Sequence, residues 1–400
     1  MSLRELPPKQ SLSQRWNRLR YVPLIILVTL ALVAAIIGAV TSHRQAAAAT
    51  KPPSPASIQS SLSSKTVGAL PTVCHPAVQA PPQQPWLGSA SDKAKAEAVW
   101  NAHQAELSQP YVLEKDGWVD WGDIQAANFS QALGRRNLST VEATQWHDHL
   151  AKLRDSLAAM NIPLYVVITP AKWDVYPQQL PDWAQKIRGS GPLDQLEASF
   201  PDLPIVDIRS QLRTASETHQ TFSKTNSHWT DYGAWVGWQA ISQCIVTTSP
   251  SLSGLSAPPI DGVTISADAN EFAKFGIPNP APNVTTPIYV SALKPVTVTT
   301  NDSVTATVAG TTPTDLLKLP AETTTADSQT AHTALFVRDS FGSSLSIPVM
   351  QSFARTWQVR HNLDGAPSTQ PDIPALAKEH HPDVVILQIA ERHLNFPPST

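Results

Sequence analysis

The run "YVPLIILVTLALVAAIIGAVTS", residues 21–42, contains no charged side chain. As a helix it is long enough to cross a hydrocarbon core of about 30 Å, so it predicts a transmembrane segment and not part of a water-soluble core. Arg4, Lys9, Arg15, Arg18 and Arg20 precede the run and only Arg44 follows closely. Positive charge is retained on the cytoplasmic side, so residues 1–20 read as a cytoplasmic basic tail and residues 21–42 as a signal anchor. Everything after Ser42 is then extracytoplasmic, and the expected location is the cell membrane, single-pass. A signal peptide cut near "AAAAT" is the competing reading, which the length of the apolar run disfavours.

Residues 43–85 are rich in Pro, Ala, Ser and Gln, a composition that buries too little apolar surface to offset its ordering entropy. A linker is expected there. The only two cysteines are Cys74, near its end, and Cys244. In an oxidising compartment they either pair as a disulfide or stand as two thiols, and their spacing fits no zinc motif. The net charge of −3 offers no basic patch, which excludes nucleic acid as an expected partner.

The folded domain is expected over residues 86–400. Ser139 and Glu142 have capping-box spacing, followed by Trp146, Leu150, Leu153, Leu157 and Met160 at helical intervals. The apolar runs "IPLYVVITP", "PIVDI", "ALFVR", "TWQVR" and "DVVILQI" read as strands, several separated by helical patterns such as "IPALAKEHH". This alternation predicts an α/β fold with a mainly parallel sheet and flanking helices. Between about 249 and 330 the texture turns to Thr, Val, Pro and Asn, which predicts a β-rich insertion or small subdomain.

In "ALFVRDSFGSS", Ser340 directly follows a predicted strand, at the carboxyl end where ligands gather in open α/β sheets. A serine hydroxyl needs a base to become a nucleophile, and the candidate is His228 in "TNSHWTDYGAW", just before a helix that Thr230 is placed to cap. The alternative is structural: Ser340 as a helix cap and His228 as a partner of local backbone. His147 and His149 do not share a helix face, and His380 with His381 precedes a strand, so no metal is expected. Tryptophans run through the domain, Trp86, Trp100, Trp118 and Trp121 among them; core packing is the expected role for most, with sugar stacking as the alternative.

Together, "EKDGWVDWGD", "TPAKWDVYP", "TNSHWTDYGAW", "VRDSFG" and "HPDVVILQIAERHL" resemble, in this order, the SGNH-hydrolase-like proteins of polysaccharide O-acetylation. These are the alginate O-acetyltransferase-like group and relatives named for an Asp-His-His-Trp motif. The resemblance covers most of residues 114–394 apart from the Thr-rich insertion. It implies an SGNH-hydrolase-like (flavodoxin-like) fold, with Ser340 as the acyl-accepting nucleophile and His228 as general base. Asp339, Gly342, Arg338 and Trp229 flank the two motifs, while Lys172 and Tyr176 match a block that implies a supporting role. The sequence departs from the family where Asn226 stands two residues before the histidine in place of the usual aspartate. An amide can hold the imidazole tautomer but supplies no charge for the imidazolium. Asp231 and Asp207 are the alternative acids.

The expected function is therefore a membrane-anchored O-acetyltransferase that acetylates a cell-envelope or secreted polysaccharide through a serine acyl-enzyme, with backbone amides near Ser340 and Gly342 as the oxyanion site. The resemblance further implies a membrane-bound O-acyltransferase partner that delivers acetyl groups. No cofactor is expected, and nothing in the residues marks a coenzyme A site. An acetylesterase would use the same pair with water as acceptor. A non-catalytic polysaccharide-binding protein is the third reading, motivated by Asn226.

Overall fold

Twelve strands alternate with helices along the chain in a computed structural model, which describes residues 70–398 apart from 79, 82, 268, 301–304 and 309–317. The expected tail, the anchor and the linker up to residue 69 lie outside these residues. Among the described residues no helix is long and apolar enough to cross a membrane.

In chain order the strands are β1 Tyr111–Leu113, β2 Val119–Trp121, β3 Leu164–Thr169, β4 Ile205–Val206, β5 Ile260–Ser266 and β6 Val284–Tyr289, then β7 Val296–Thr300, β8 Thr305–Val308, β9 Ala321–Thr325, β10 Thr333–Arg338, β11 Arg355–Arg360 and β12 Val384–Ala390. Eight of them form one sheet in the order β4-β3-β12-β10-β11-β9-β7-β8. The pairings from β4 to β11 are parallel, and those of β11 with β9, β9 with β7 and β7 with β8 are antiparallel.

The sheet is thus mixed, and the expectation of a mainly parallel sheet beside a separate insertion needs correction. Half of the Thr-rich segment extends the central sheet as β7, β8 and β9, while β5 and β6 form a two-stranded hairpin of their own. Burial follows from the residues. Strands β3 and β12 are buried along their whole length, as apolar runs must be when helices cover both faces of a parallel sheet. In β7, "VTVTT" buries its valines and exposes the threonine between them, which suits an antiparallel strand with one covered face.

Side chains of the central strands alternate between two cores. Tyr165, Val167, Phe336 and Ile386 pack with the helix Asp231–Thr248, whereas Val166, Ile168, Val337 and Leu387 pack with Trp146, Leu150 and Leu157 of the helix Thr140–Ala158. The latter helix opens with the expected capping box of Ser139 and Glu142. Cys74 and Cys244 form a disulfide across a separation of 170 residues, and Cys74 is buried in the first core. The chain is therefore already packed at Cys74, ahead of Trp86, because the covalent tie and the hydrogen bond from Asp207 N to Cys74 O hold it there.

Candidate active site

Parallel strands deliver three of the singled-out segments to one end of the sheet: Lys172 follows β3, Asp339 and Ser340 follow β10, and Glu391 to His393 follow β12. The fourth, the histidine loop, is pinched off by a bridge between Phe222 and Trp229 and runs into the helix Asp231–Thr248, which Thr230 caps by accepting from Gly233 N.

These elements bring Ser340 and His228 together. Ser340 Oγ lies 2.9 Å from His228 Nε2, and His228 Nδ1 lies 3.0 Å from Asn226 Oδ1. An amide oxygen only accepts, so Nδ1 carries the ring proton and Nε2 has the free lone pair that accepts the Ser340 hydroxyl. Asn226 Oδ1 also accepts the backbone N–H of His228 at 3.0 Å, which fixes the amide against both ring and chain. Burial lowers the pKa of His228, and the cation of Arg392 pushes it the same way. The ring is therefore neutral near neutral pH, the state in which it takes a proton.

Neither alternative acid is the partner of Nδ1. Asp207 is buried in an ion cluster, its carboxylate taken by the Arg209 guanidinium and backbone N–H. Asp231 sits in the first turn of its helix, where its charge acts on Tyr289. Asn226 occupies the acid's place with hydrogen bonds alone.

The supporting residues have distinct structural tasks. Lys172 is buried, and its ammonium donates to the carbonyls of Val119, Lys224 and Asn226, binding the histidine loop to the β1–β2 hairpin. The Tyr176 hydroxyl accepts from Thr221 N at 2.8 Å and so sets the start of that loop. Trp229 Nε1 donates to Phe341 O at 2.8 Å, a direct strap between the histidine and serine segments. Arg338 is buried beneath the serine turn, donating to Gln358 Oε1 and Asp339 O, and burial pulls its pKa down to about 10.

Gly342 has a role other than the expected one. Its N–H donates to Asp339 O, that of Phe341 to Asp339 Oδ1 and that of Ser343 to Ser340 O, so the amides after the serine are engaged within the turn. What the position requires is the absence of a side chain: a Cβ there would come within 2.4 Å of Arg338 Cδ. The oxyanion expectation is corrected accordingly for Gly342.

Asp339 is the anchor of the serine turn. Its Oδ2 accepts from Ala390 N at 2.7 Å and from His361 Nε2 at 3.2 Å, with His393 Nδ1 3.1 Å away but off the hydrogen-bond direction. Burial alone would raise its pKa, yet His361 and His393 outweigh that and hold it well below the usual carboxylate range. The three residues converge closely enough to raise the question of a metal, their ligand atoms lying within 4.8 Å of one another. His361 Nδ1, however, accepts the N–H of Leu363, which places the ring proton on Nε2, the atom a cation would need. The arrangement is that of a carboxylate held by one imidazole donor, His361, and the Ala390 N–H, with His393 close beside it.

Sequence reading missed His361, His393, Arg392 and Glu271. Arg392 is buried against the site, with its guanidinium 5.1 Å from the centroid of the Phe341 ring and Nη1 3.5 Å from Ser227 Oγ. The signal for the pair after β12 was on the page: charged residues directly behind a buried parallel strand belong to the ligand end of the sheet. The other histidines act locally; His147 stacks on Phe200 and His380 on Trp357. Most of the tryptophans are core residues, Trp146, Trp173 and Trp238 among the largest fully buried side chains. A cleft of about 550 Å³ lies at the opposite, amino end of the parallel strands, between Asn161, His332, Lys378 and Asp383, away from Ser340.

Comparison with known proteins bears on the fold and family likeness of this chain. Residues 129–271 match the family described as SGNH hydrolase-like domain, acetyltransferase AlgX. This part of the chain is similar to an AlgX-type domain. A probable alginate O-acetylase AlgJ of Pseudomonas syringae pv. tomato is 30% identical over 142 residues, which are 35% of this chain and 34% of that protein. The chain thus matches about a third of the length of its curated relative. Among solved structures, Bacillus cereus PatB1 with a sulfonyl adduct is similar at a TM-score of 0.53, with 16% identity over 72% of this chain and 96% of that one. At that identity the likeness speaks for the fold alone. The AlgX-type match includes the histidine loop and ends before β10, so the place of Ser340 beside His228 is a finding of the structure itself.

Proposed function

We propose that the domain is a serine-dependent O-acetyltransferase acting on hydroxyl groups of a polysaccharide. The observation that carries the reading is the 2.9 Å contact between Ser340 Oγ and His228 Nε2, with Nδ1 held by Asn226. In the first half-reaction His228 takes the Ser340 proton as Oγ attacks the carbonyl carbon of an acetyl donor. The tetrahedral intermediate collapses to acetyl-Ser340 as the donor's leaving group departs with that proton. In the second, His228 takes the proton of a sugar hydroxyl, whose oxygen attacks the acetyl carbon and releases Ser340 with its proton restored. The AlgX-type match and the AlgJ relative support acetyl transfer over simple hydrolysis.

The proposal extends to the setting. Residues 21–42 anchor the chain in the membrane with the domain outside the cytoplasm, and a membrane-bound O-acyltransferase hands acetyl groups across the bilayer. The test is incubation of the full chain with a chromogenic acetyl ester, with and without oligosaccharides, followed by mass spectrometry. Acetylated sugar is the expected product. Free acetate alone assigns an esterase, and absence of both overturns the catalytic reading.

A further inference from the structure

The geometry points to Glu271 as the positioning residue that supplies, from the β5–β6 connection, the negative charge that Asn226 lacks. This rests on the proposed acyl transfer through His228.

Three contacts bind this connection to the histidine loop. Glu271 N donates to Thr225 O at 3.1 Å, Glu271 Oε1 accepts from Ser227 N at 2.6 Å, and Asn226 Nδ2 lies 3.5 Å from Ala269 O. The last contact sets which end of the Asn226 amide faces the imidazole: with Nδ2 towards Ala269 O, Oδ1 is left for His228. The same Glu271 Oε1 also accepts from Trp121 Nε1 at 3.0 Å, so the carboxylate is fixed from two sides. The hairpin grips the loop again through β6. Thr285 Oγ1 donates to Thr230 Oγ1 at 2.9 Å, and Asn283 Oδ1, just before that strand, accepts from Lys224 N. The β5–β6 part of the insertion is thus packed around the base, and the Glu271 carboxylate binds the residue between Asn226 and His228.

The physical requirement is plain. When Ser340 attacks, its proton passes to Nε2 and the ring becomes a cation in a partly buried place. An amide at Nδ1 holds the ring but does not stabilise that cation, so a nearby fixed anion must do so. Among the described residues, the charged groups that act on the ring are Arg392 and His393 from the turn after β12, Glu271 from the β5–β6 connection and Asp339 from the serine turn. Asp339 is already taken by His361, Ala390 N and Phe341 N, while Arg392 opposes the imidazolium. Among the described residues that act on the ring, Glu271 is the remaining anion, and it is tied to the loop that carries the ring.

Glu271→Gln keeps an acceptor for Ser227 N and removes only the charge. The full chain with labelled histidine is titrated by NMR, the His228 resonance being assigned by its loss in His228→Asn. The expected result is a His228 pKa about one unit lower in Glu271→Gln than in the wild type, with acylation of Ser340 by a chromogenic acetyl ester about tenfold slower on its plateau. Asn226→Asp in the Glu271→Gln background should recover most of that rate. A residue that merely clamps the loop would act in the other direction, since loosening the loop hydrates the ring and moves its pKa up towards 6.5. An unchanged or raised pKa overturns the inference. If the pKa falls but wild-type chain forms no acyl-enzyme, the charge assignment stands and the transferase reading fails.

Discussion

The serine turn and the histidine loop meet at two hydrogen bonds, Ser340 with His228 and Trp229 with Phe341, but are held in different ways. Ser340 sits on a turn fed by β10, with Asp339 locked to Ala390 N at the end of the neighbouring β12 and to His361 just after β11. His228 sits on a loop held by Lys172 and Tyr176 from another segment, by the bond of its own Trp229 to Phe341 O and by the insertion through Glu271. The nucleophile is thus placed by the core of the fold, and the base by added contacts. Changes beneath the serine should damage stability, while changes around the histidine should alter rate.

His228→Ala gives the largest expected loss on the histidine side, roughly 10²–10⁴-fold in acylation of Ser340 with the melting temperature unchanged, measured by burst kinetics and calorimetry. On the serine side, Asp339→Asn turns an amide N–H₂ or loses a charge towards buried N–H donors. It should cost about 3–5 kcal/mol by denaturant unfolding. The depressed pKa of Asp339 means that its stabilisation is present above its unfolded value near 3.8 and is lost as pH falls through the lower folded value. The variant should therefore flatten the acid limb of the stability curve. Equal stability in wild type and Asp339→Asn would break the comparison.

Lys172→Met removes the ammonium from three carbonyls, two of them in the histidine loop, of which Lys224 O keeps the N–H of Val119. Roughly tenfold slower acylation is expected, together with faster amide exchange over residues 224–228. Asn226→Asp sharpens the comparison in the other sense: a carboxylate at Nδ1 should raise the acylation rate about tenfold, less than the roughly 10⁴-fold of the serine-protease template because Glu271 already supplies charge. The smallest effect is in pH. Burial and Arg392 lower the pKa of His228, so the rate should rise with pH along a limb centred below 6.5 and be flat at neutrality. A limb centred at or above 6.5 would contradict the lowering by burial and Arg392.

Much of this was legible in the sequence because it is local. The capping box at Ser139, the apolar strands and the Thr230 cap each depend on neighbours within a few residues. The pair of Ser340 and His228 was legible from the motifs and their order. What was hidden depends on long-range pairing. Alternating Thr and Val in β7 predicts a strand but not which edge receives it, and it joined the main sheet through β9. His361 and His393 come from the ends of different strands, and only the parallel order of β11, β10 and β12 brings them to one carboxylate. Glu271 was hidden for the same reason, in a segment whose texture suggested only strands.

The central claim is that Ser340 carries the acetyl group. Full-length protein is exposed to a chromogenic acetyl ester, quenched during turnover, digested and mapped by mass spectrometry. The account predicts acetyl on the peptide containing Ser340 in wild type, more of it at early times in Asn226→Asp, and none in a folded Ser340→Ala that also fails to release the chromophore above background. Wild-type turnover without acetyl on Ser340, or undiminished turnover by Ser340→Ala, would contradict it.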